Sequence, residues 1–225
     1  MRFFTVSVLL AILGGLVLAQ SKVDSILLHR AYVDSKAGRF DEANLWANPR
    51  LRQCVTEGQA DHLTLQAAVG LWEACPQHDL PQYFLPERAR IAFIAGDLEK
   101  AEADARELLQ DASKVPAWQG QGRYAYVSNE VLGRVALRKG DVASAKEFLL
   151  ASGQSAGDPV LKSFGPNLLL AWELLQIGER DTVLRFLDEC KEGFWKFRAR
   201  EIQTWQDVIQ QGKTPDFGFN LYLYW

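Results

Sequence analysis

Apolar residues recur at helical spacing along most of the chain, and glycines punctuate the runs. The pattern is clearest from Asn129 to Ser152, where Val131, Leu132, Val135 and Ala136 make one apolar stripe. Arg134, Arg138 and Lys139 lie off that stripe. Gly140 supplies the left-handed conformation that ends a helix, and the cations before it suit the negative end of the helix dipole. Asp141 is placed as N-cap of a second helix, whose stripe is Val142, Ala145, Phe148 and Leu149. Two facing stripes joined by a minimal turn predict an αα-hairpin.

Read outward from that hairpin, the pattern predicts helices almost throughout. Residues 22–58 form a first helical pair interrupted at Asn48-Pro49, because a residue before proline avoids the helical region. A helix over 60–75 follows, then a loop at 76–86 with three prolines. Residues 86–95 and 97–112 make a second hairpin, 113–120 a linker, and a long helix starts near 123. Residues 153–162 are a small-residue loop, and Pro166 is placed in a first helical turn. Residues 168–177 are apolar nearly all round, which argues for a helix buried on most sides. Two more helices cover 179–192 and about 197–210. The aromatic segment from Phe217 to Trp225 reads as a strand-like piece laid over the last hairpin, or as an extended peptide that docks on a partner.

The turn itself repeats. Gly38, Gly96, Gly140 and Gly178, spaced by 58, 44 and 38 residues, are each followed five residues on by Ala43, Ala101, Ala145 or Val183. Periods of this kind mean stacked helical pairs, each hiding its apolar face against the next. These residues resemble the tetratricopeptide repeat, best around Gly140, where Leu132-Gly133 takes the small-residue crossing, and next best around Gly96, with Ala89, Ala92, Ala101 and Ala105. The Gly178 copy keeps Ala171 but has Val183, the Gly38 copy is poorer, and none has the usual tryptophan or closing proline. The Ser163–Asn167 segment and Pro215-Asp216-Phe217 also resemble stretches of exported bacterial repeat proteins. The resemblance implies an all-α, right-handed superhelix of stacked antiparallel hairpins, a TPR-like α-solenoid over residues 20–212, with 213–225 as an aromatic tail packed on the last helices.

Residues 1–19 read as a leader. Arg2 precedes an uncharged run from Phe3 to Ala19, and Val17 and Ala19 fit the positions before a cleavage site. The alternative is a retained membrane anchor, since seventeen uncharged residues nearly reach the ~20 needed to span. Either way the body is expected outside the cytoplasm, periplasmic or secreted, with membrane contact only through an uncleaved leader. Hydrophobic content of 48% and charge of 24% suit a folded domain, and a net charge of −3 with no basic run gives no nucleic-acid footprint.

Catalytic patterns are missing. Gly153-Gln-Ser-Ala-Gly157 matches Gly-x-Ser-x-Gly in letters but reads as a linker by composition, and there is no phosphate-binding glycine loop and no His-Glu-x-x-His helix. Three cysteines, Cys54, Cys75 and Cys190, read either as small buried side chains or, in an oxidising compartment, as a Cys54–Cys75 disulfide plus one thiol. A metal site from Cys54, His62, Cys75 and His78 has ligand-like spacing only at Cys75-x-x-His78. The expectation is no cofactor and no enzyme.

What remains is binding. Resemblance to the tetratricopeptide repeat implies that the residue six before each turn glycine faces a concave groove. Those residues are Tyr32, Arg90, Arg134 and Trp172. The residue two before gives Lys36, Ile94, Arg138 and Gln176. Arginines bracketed by aromatics suit a peptide carrying a carboxylate and an apolar side chain. The expected function is a non-catalytic interaction module or scaffold of the cell envelope that binds a peptide or protein. The alternative is a small-molecule- or metal-dependent enzyme or binding protein on the same scaffold.

Overall fold

The computed structural model describes residues 3–74, 85–116 and 120–221, with side chains from residue 20 onward, Leu85 excepted. Among these residues all regular structure is helical, with no strand. They fall into two compact units that divide after Pro76.

The first unit holds α1 (Phe3–Lys36), α2 (Phe40–Ala47), α3 (Pro49–Cys54), α4 (Glu57–Ala60) and α5 (Leu65–Ala74). α1 packs on α2, α3 and α4, and α3 packs on α5. The break expected at Asn48-Pro49 is there, and Asn48 uses it: its Oδ1 accepts the N–H of Arg50 at 2.9 Å and of Leu51 at 3.1 Å, with Pro49 opening α3. The helix expected over 60–75 starts later, at Leu65, because Thr64 turns the chain and its Oγ1 accepts the N–H of Ala67 at 3.2 Å. The core carries two tryptophans under cations, Arg30 at 3.8 Å over Trp46 and Arg50 at 4.3 Å over Trp72. Cys54 is disulfide-bonded; Cys75 lies outside the described residues.

The second unit holds α6 (Leu85–Ile94), α7 (Leu98–Ala112), α8 (Gln121–Arg138), α9 (Val142–Gly153), α10 (Pro159–Phe164), α11 (Leu169–Gln176), α12 (Arg180–Glu192) and α13 (Ala199–Gln210), with 3₁₀ turns at Lys196–Arg198 and Gly218–Leu221. α6 packs on α7, α7 on α8, α8 on α9, α9 on α12, and α12 on α11 and α13. α8 also touches both α6 and α11. This is helix-on-helix packing compatible with a helical repeat.

The turn glycines hold it together locally. Gly38, Gly96, Gly140 and Gly178 have φ of +75°, +84°, +80° and +90°. In each turn the next N–H reaches back to the last helical turn: Arg39 to Asp34 O, Asp97 to Ala92 O, Asp141 to Ala136 O and Glu179 to Leu174 O, at 2.9, 3.0, 2.9 and 3.0 Å. That closure satisfies carbonyls that would otherwise lack partners at the helix end. Asp97 and Asp141 then cap α7 and α9, accepting the N–H of Lys100 and Ser144 at 3.0 Å each. The Ser144 hydroxyl and N–H hold the Asp141 carboxyl below its ordinary value. Five residues after the glycines, Ala43, Ala101, Ala145 and Val183 are all fully buried. Seven residues before, Ala31, Ala89, Gly133 and Ala171 let the helices close; a Cβ on Gly133 would sit 2.3 Å from Leu170 Cδ2.

Three expectations need correcting. The loop at 153–162 contains α10, where Asp158 Oδ1 accepts the N–H of Leu161 at 2.8 Å and Pro159 stands in the first turn. Pro166 precedes α11 without entering it, and Asn167 Oδ1 accepts the N–H of Leu169 at 2.9 Å. The described tail is likewise no strand. Phe217 stacks edge-on to Trp205 at 5.2 Å, then a 3₁₀ turn buries Asn220 and Leu221; residues 222–225 lie outside the description.

Candidate functional site

The site builds up from α6, α8 and α11, the first helices of three successive hairpins. Arg90 on α6 is buried, and its Nε and Nη2 donate to Glu130 Oε2 on α8 at 3.0 and 2.6 Å. One turn further on, Arg134 repeats the arrangement toward α11. Its Nε donates to Glu173 Oε2 at 3.0 Å and its Nη2 to Glu173 Oε1 at 2.9 Å, and its guanidinium lies 4.4 Å over the Phe93 ring. This is the bidentate fork that arginine makes and lysine cannot. Arg134 lies off the apolar stripe yet is only 5% exposed, because α6 supplies an aromatic floor and α11 a carboxylate. Arg90 and Arg134, the residues expected to face a groove, are buried and paired, and these pairs tie each first helix to the next.

Arg138 behaves differently. It lies one turn beyond Arg134, with its side chain 54% exposed, its Nη2 3.8 Å from Glu173 Oε1 and its guanidinium 5.3 Å over the same Phe93 ring. Trp172, beside Glu173, is half-buried, and Gln176 and Ile177 at the end of α11 are exposed. The structure thus gathers Arg134 and Arg138 on Phe93 and Glu173, with Trp172 next in sequence. Tyr32 belongs to the other unit, where it is 56% exposed with the Lys36 ammonium 5.7 Å from its ring.

Three contributing residues escaped the sequence reading: Phe93, Glu130 and Glu173. The only sequence signal was spacing, since Phe93 follows Arg90 by three residues and Glu130 precedes Arg134 by four, which puts each pair on one helical face.

Chemistry is sparse elsewhere. Among the described residues no group of three His, Cys, Asp or Glu side chains could hold a metal ion. Cys190 is free and buried, and burial pushes its thiol well above the ordinary value. Burial does the same to Tyr126, whose hydroxyl donates to Asn167 O at 2.6 Å. Neither is placed as a nucleophile at neutral pH. Among the described residues no helix is long and apolar enough to cross a membrane.

The class these observations define is an all-α protein whose packing is compatible with a helical repeat. No protein-family model, no curated protein and no solved structure matches the chain.

Proposed function

We propose that this chain is a non-catalytic interaction module of the cell envelope, a tetratricopeptide-like superhelix that binds a peptide or protein on the face made by α6, α8 and α11. The observation that carries the reading is Arg138: an exposed guanidinium held over Phe93 beside Glu173, with Trp172 half-buried next to it. A guanidinium seated on an aromatic ring is preorganised to accept a carboxylate, and a half-buried tryptophan offers an apolar anchor. Arg90 and Arg134 support the face from below by fixing the spacing of the three helices.

Two observations support export. One is the uncharged run after Arg2, which suits a leader that is cleaved or retained as an anchor. The other is the disulfide at Cys54, which suits an oxidising compartment.

The test is in-cell crosslinking followed by mass spectrometry, comparing the wild type with an Arg138→Ala/Trp172→Ala double variant that keeps the wild-type circular dichroism. Arg90 and Arg134 are left intact, because removing one partner of a buried pair costs about 3–5 kcal/mol and would confuse folding with binding. A discrete partner captured by the wild type and lost in the variant supports the reading. Equal capture by both would remove this face from consideration.

A further inference from the structure

We propose that the end of the second unit where α11 starts, α12 stops and α13 starts docks on an anionic phospholipid surface. The inference goes beyond peptide binding, because it uses other residues and a different class of partner.

Topology gathers this end. α12 packs on both α11 and α13 and runs back between them, so the first residues of α11 and α13 lie with the last of α12. The 3₁₀ turn of the tail joins them through Asn220. Its backbone oxygen accepts the N–H of Leu168 at 2.8 Å, and its Nδ2 donates to Pro166 O at 2.8 Å and Phe164 O at 3.2 Å. The end of α10 joins through two close approaches. A Cβ on Gly165 would lie 1.9 Å from Trp195 Cζ2, and one on Gly157 would lie 2.4 Å from Phe194 Cβ.

Burial then sorts the aromatic rings. Phe194 and Trp195 are buried, whereas Phe197, Phe164 and Phe219 are 65%, 54% and 40% exposed. Among the described residues of this unit the only other large apolar side chain so exposed is Ile177, at the opposite end of α11. Three phenylalanines shown to water at one end mark an interaction surface. The backbone beneath them is set in advance. The N–H of Trp195 closes on Cys190 O at 2.9 Å and that of Arg198 on Trp195 O at 3.1 Å, so Phe197 is presented from a fixed turn.

Charge names the partner. The segments Lys162–Leu168, Phe194–Arg200 and Phe217–Leu221 hold Lys162, Lys196, Arg198 and Arg200 and no Asp or Glu, in a chain of net charge −3. Arg198 donates to Glu201 at 3.0 Å; Lys162, Lys196 and Arg200 are exposed. Apolar rings among lysine and arginine are the composition of segments that sit at a membrane interface. The long cationic stems lie along the apolar layer while their heads meet anionic headgroups. A bilayer surface needs no groove, only several such segments at one end of the molecule.

The experiment uses the full chain with Ser163→Cys, an exposed position between Lys162 and Phe164, carrying an environment-sensitive dye. Cys190 is buried, and Asp181→Cys at the other end of α12 is the reference. The vesicles contain phosphatidylglycerol and phosphatidylcholine, part of it brominated along the acyl chains. The dye at position 163 is expected to shift to the blue and to be quenched by bromine, and the dye at position 181 to do neither. Because each dye reads its own position, insertion of residues 1–19 does not mimic this result. Vesicles of phosphatidylcholine alone are expected to need at least about tenfold more lipid for the same quenching. Phe197→Ser/Phe219→Ser, changed only at exposed positions and checked by circular dichroism, is expected to lose the quenching at position 163. No shift, equal quenching at both positions, or full quenching in the double variant would overturn the proposal. So would a shift that arises without vesicles and grows with protein concentration, which would mark a second copy of the chain as the partner. Equal quenching by phosphatidylcholine alone would overturn the assignment to anionic lipid.

Discussion

At Gly140 φ is +80°, and the N–H of Asp141 closes on Ala136 O at 2.9 Å; at Gly212 φ is +79°, and the N–H of Lys213 closes on Val208 O at 3.2 Å. The backbone device is the same, but the surroundings are not. Around Gly140 the residue seven before is Gly133 and the residue five after is the fully buried Ala145, so two helices close on each other. Around Gly212 the same positions hold Trp205 and Phe217, both buried and 5.2 Å apart ring to ring. Lys213, Thr214 and Pro215 follow in place of a capped helix start. With no second helix to approach, large rings fill the volume that a helix would take. The outward side of α13 then shows Arg200, Gln203, Thr204, Asp207 and Gln210 to solvent.

The largest effects should come from reversing residue size at the two turns. Phe217→Ala is expected to cost about 3–5 kcal/mol, the range for truncating a buried aromatic side chain. It strips Trp205 of its edge-on partner, and Trp205 is in turn 5.8 Å from Trp195. Ala145→Leu makes the converse error and is expected to cost about 1–3 kcal/mol by overpacking. Urea melts of both variants check the order. If Phe217→Ala were nearly silent, the tail would be an ornament on α13 and the comparison would collapse.

The two turns were unequally legible. Gly140 announced itself by apolar stripes on both sides and by Asp141, and all four turn glycines chosen on such grounds have positive φ. Gly212 lacks that signature: its flanking positions hold Trp205 and Phe217, which break the small-residue rule, and no apolar helical stripe follows it. α10 hid in a run of small residues, although Asp158-Pro159 is a cap followed by a first-turn proline. At the candidate site the positions were legible and their exposure was not. Local spacing marks Arg90 and Arg134, but their carboxylates lie 40 and 39 residues away on other helices. Only the packing of α6, α8 and α11 brings Glu130 and Glu173 to them and turns a solvated face into a buried pair.

The loop between the two regions is held from both. Tyr126 on α8 donates to Asn167 O, while Asn220 of the tail donates to Pro166 O. Tyr126 and Cys190 are both held protonated by burial, which pushes their pKa values well above the ordinary ones. The unfolded chain releases these protons at ordinary thiol and phenol values, about pH 8.5 and pH 10, while the folded chain keeps them. Stability from this source is therefore constant at neutral pH and falls as pH rises through that range, by at most about 1.4 kcal/mol per pH unit for each group. Guanidinium melts between pH 7 and pH 10.5 should show this fall, and a Tyr126→Phe/Cys190→Ala variant should show a shallower one. An unchanged slope would mean that both groups meet water in the folded state.

The smallest and sharpest test concerns the glycines alone. An added Cβ at Gly140 or Gly212 meets nothing within 4 Å, so sterics between residues drop out and only the left-handed backbone is tested. Gly140→Ala and Gly212→Ala should then each cost about 1–2 kcal/mol, the penalty for an L-residue in that conformation. Asn at either position should cost less, since its short polar side chain tolerates positive φ. Equal losses, read as shifts in urea midpoint at constant slope, would show that the turn is a self-contained unit whose strain stays local. A larger loss at Gly140 would mean something else. There the N–H of Ser144 is already committed to Asp141, so any relief of φ must shift the start of α9. After Gly212 an uncapped loop can absorb the same change. The difference between the two losses therefore measures how much of a hairpin's stability depends on the register its turn imposes.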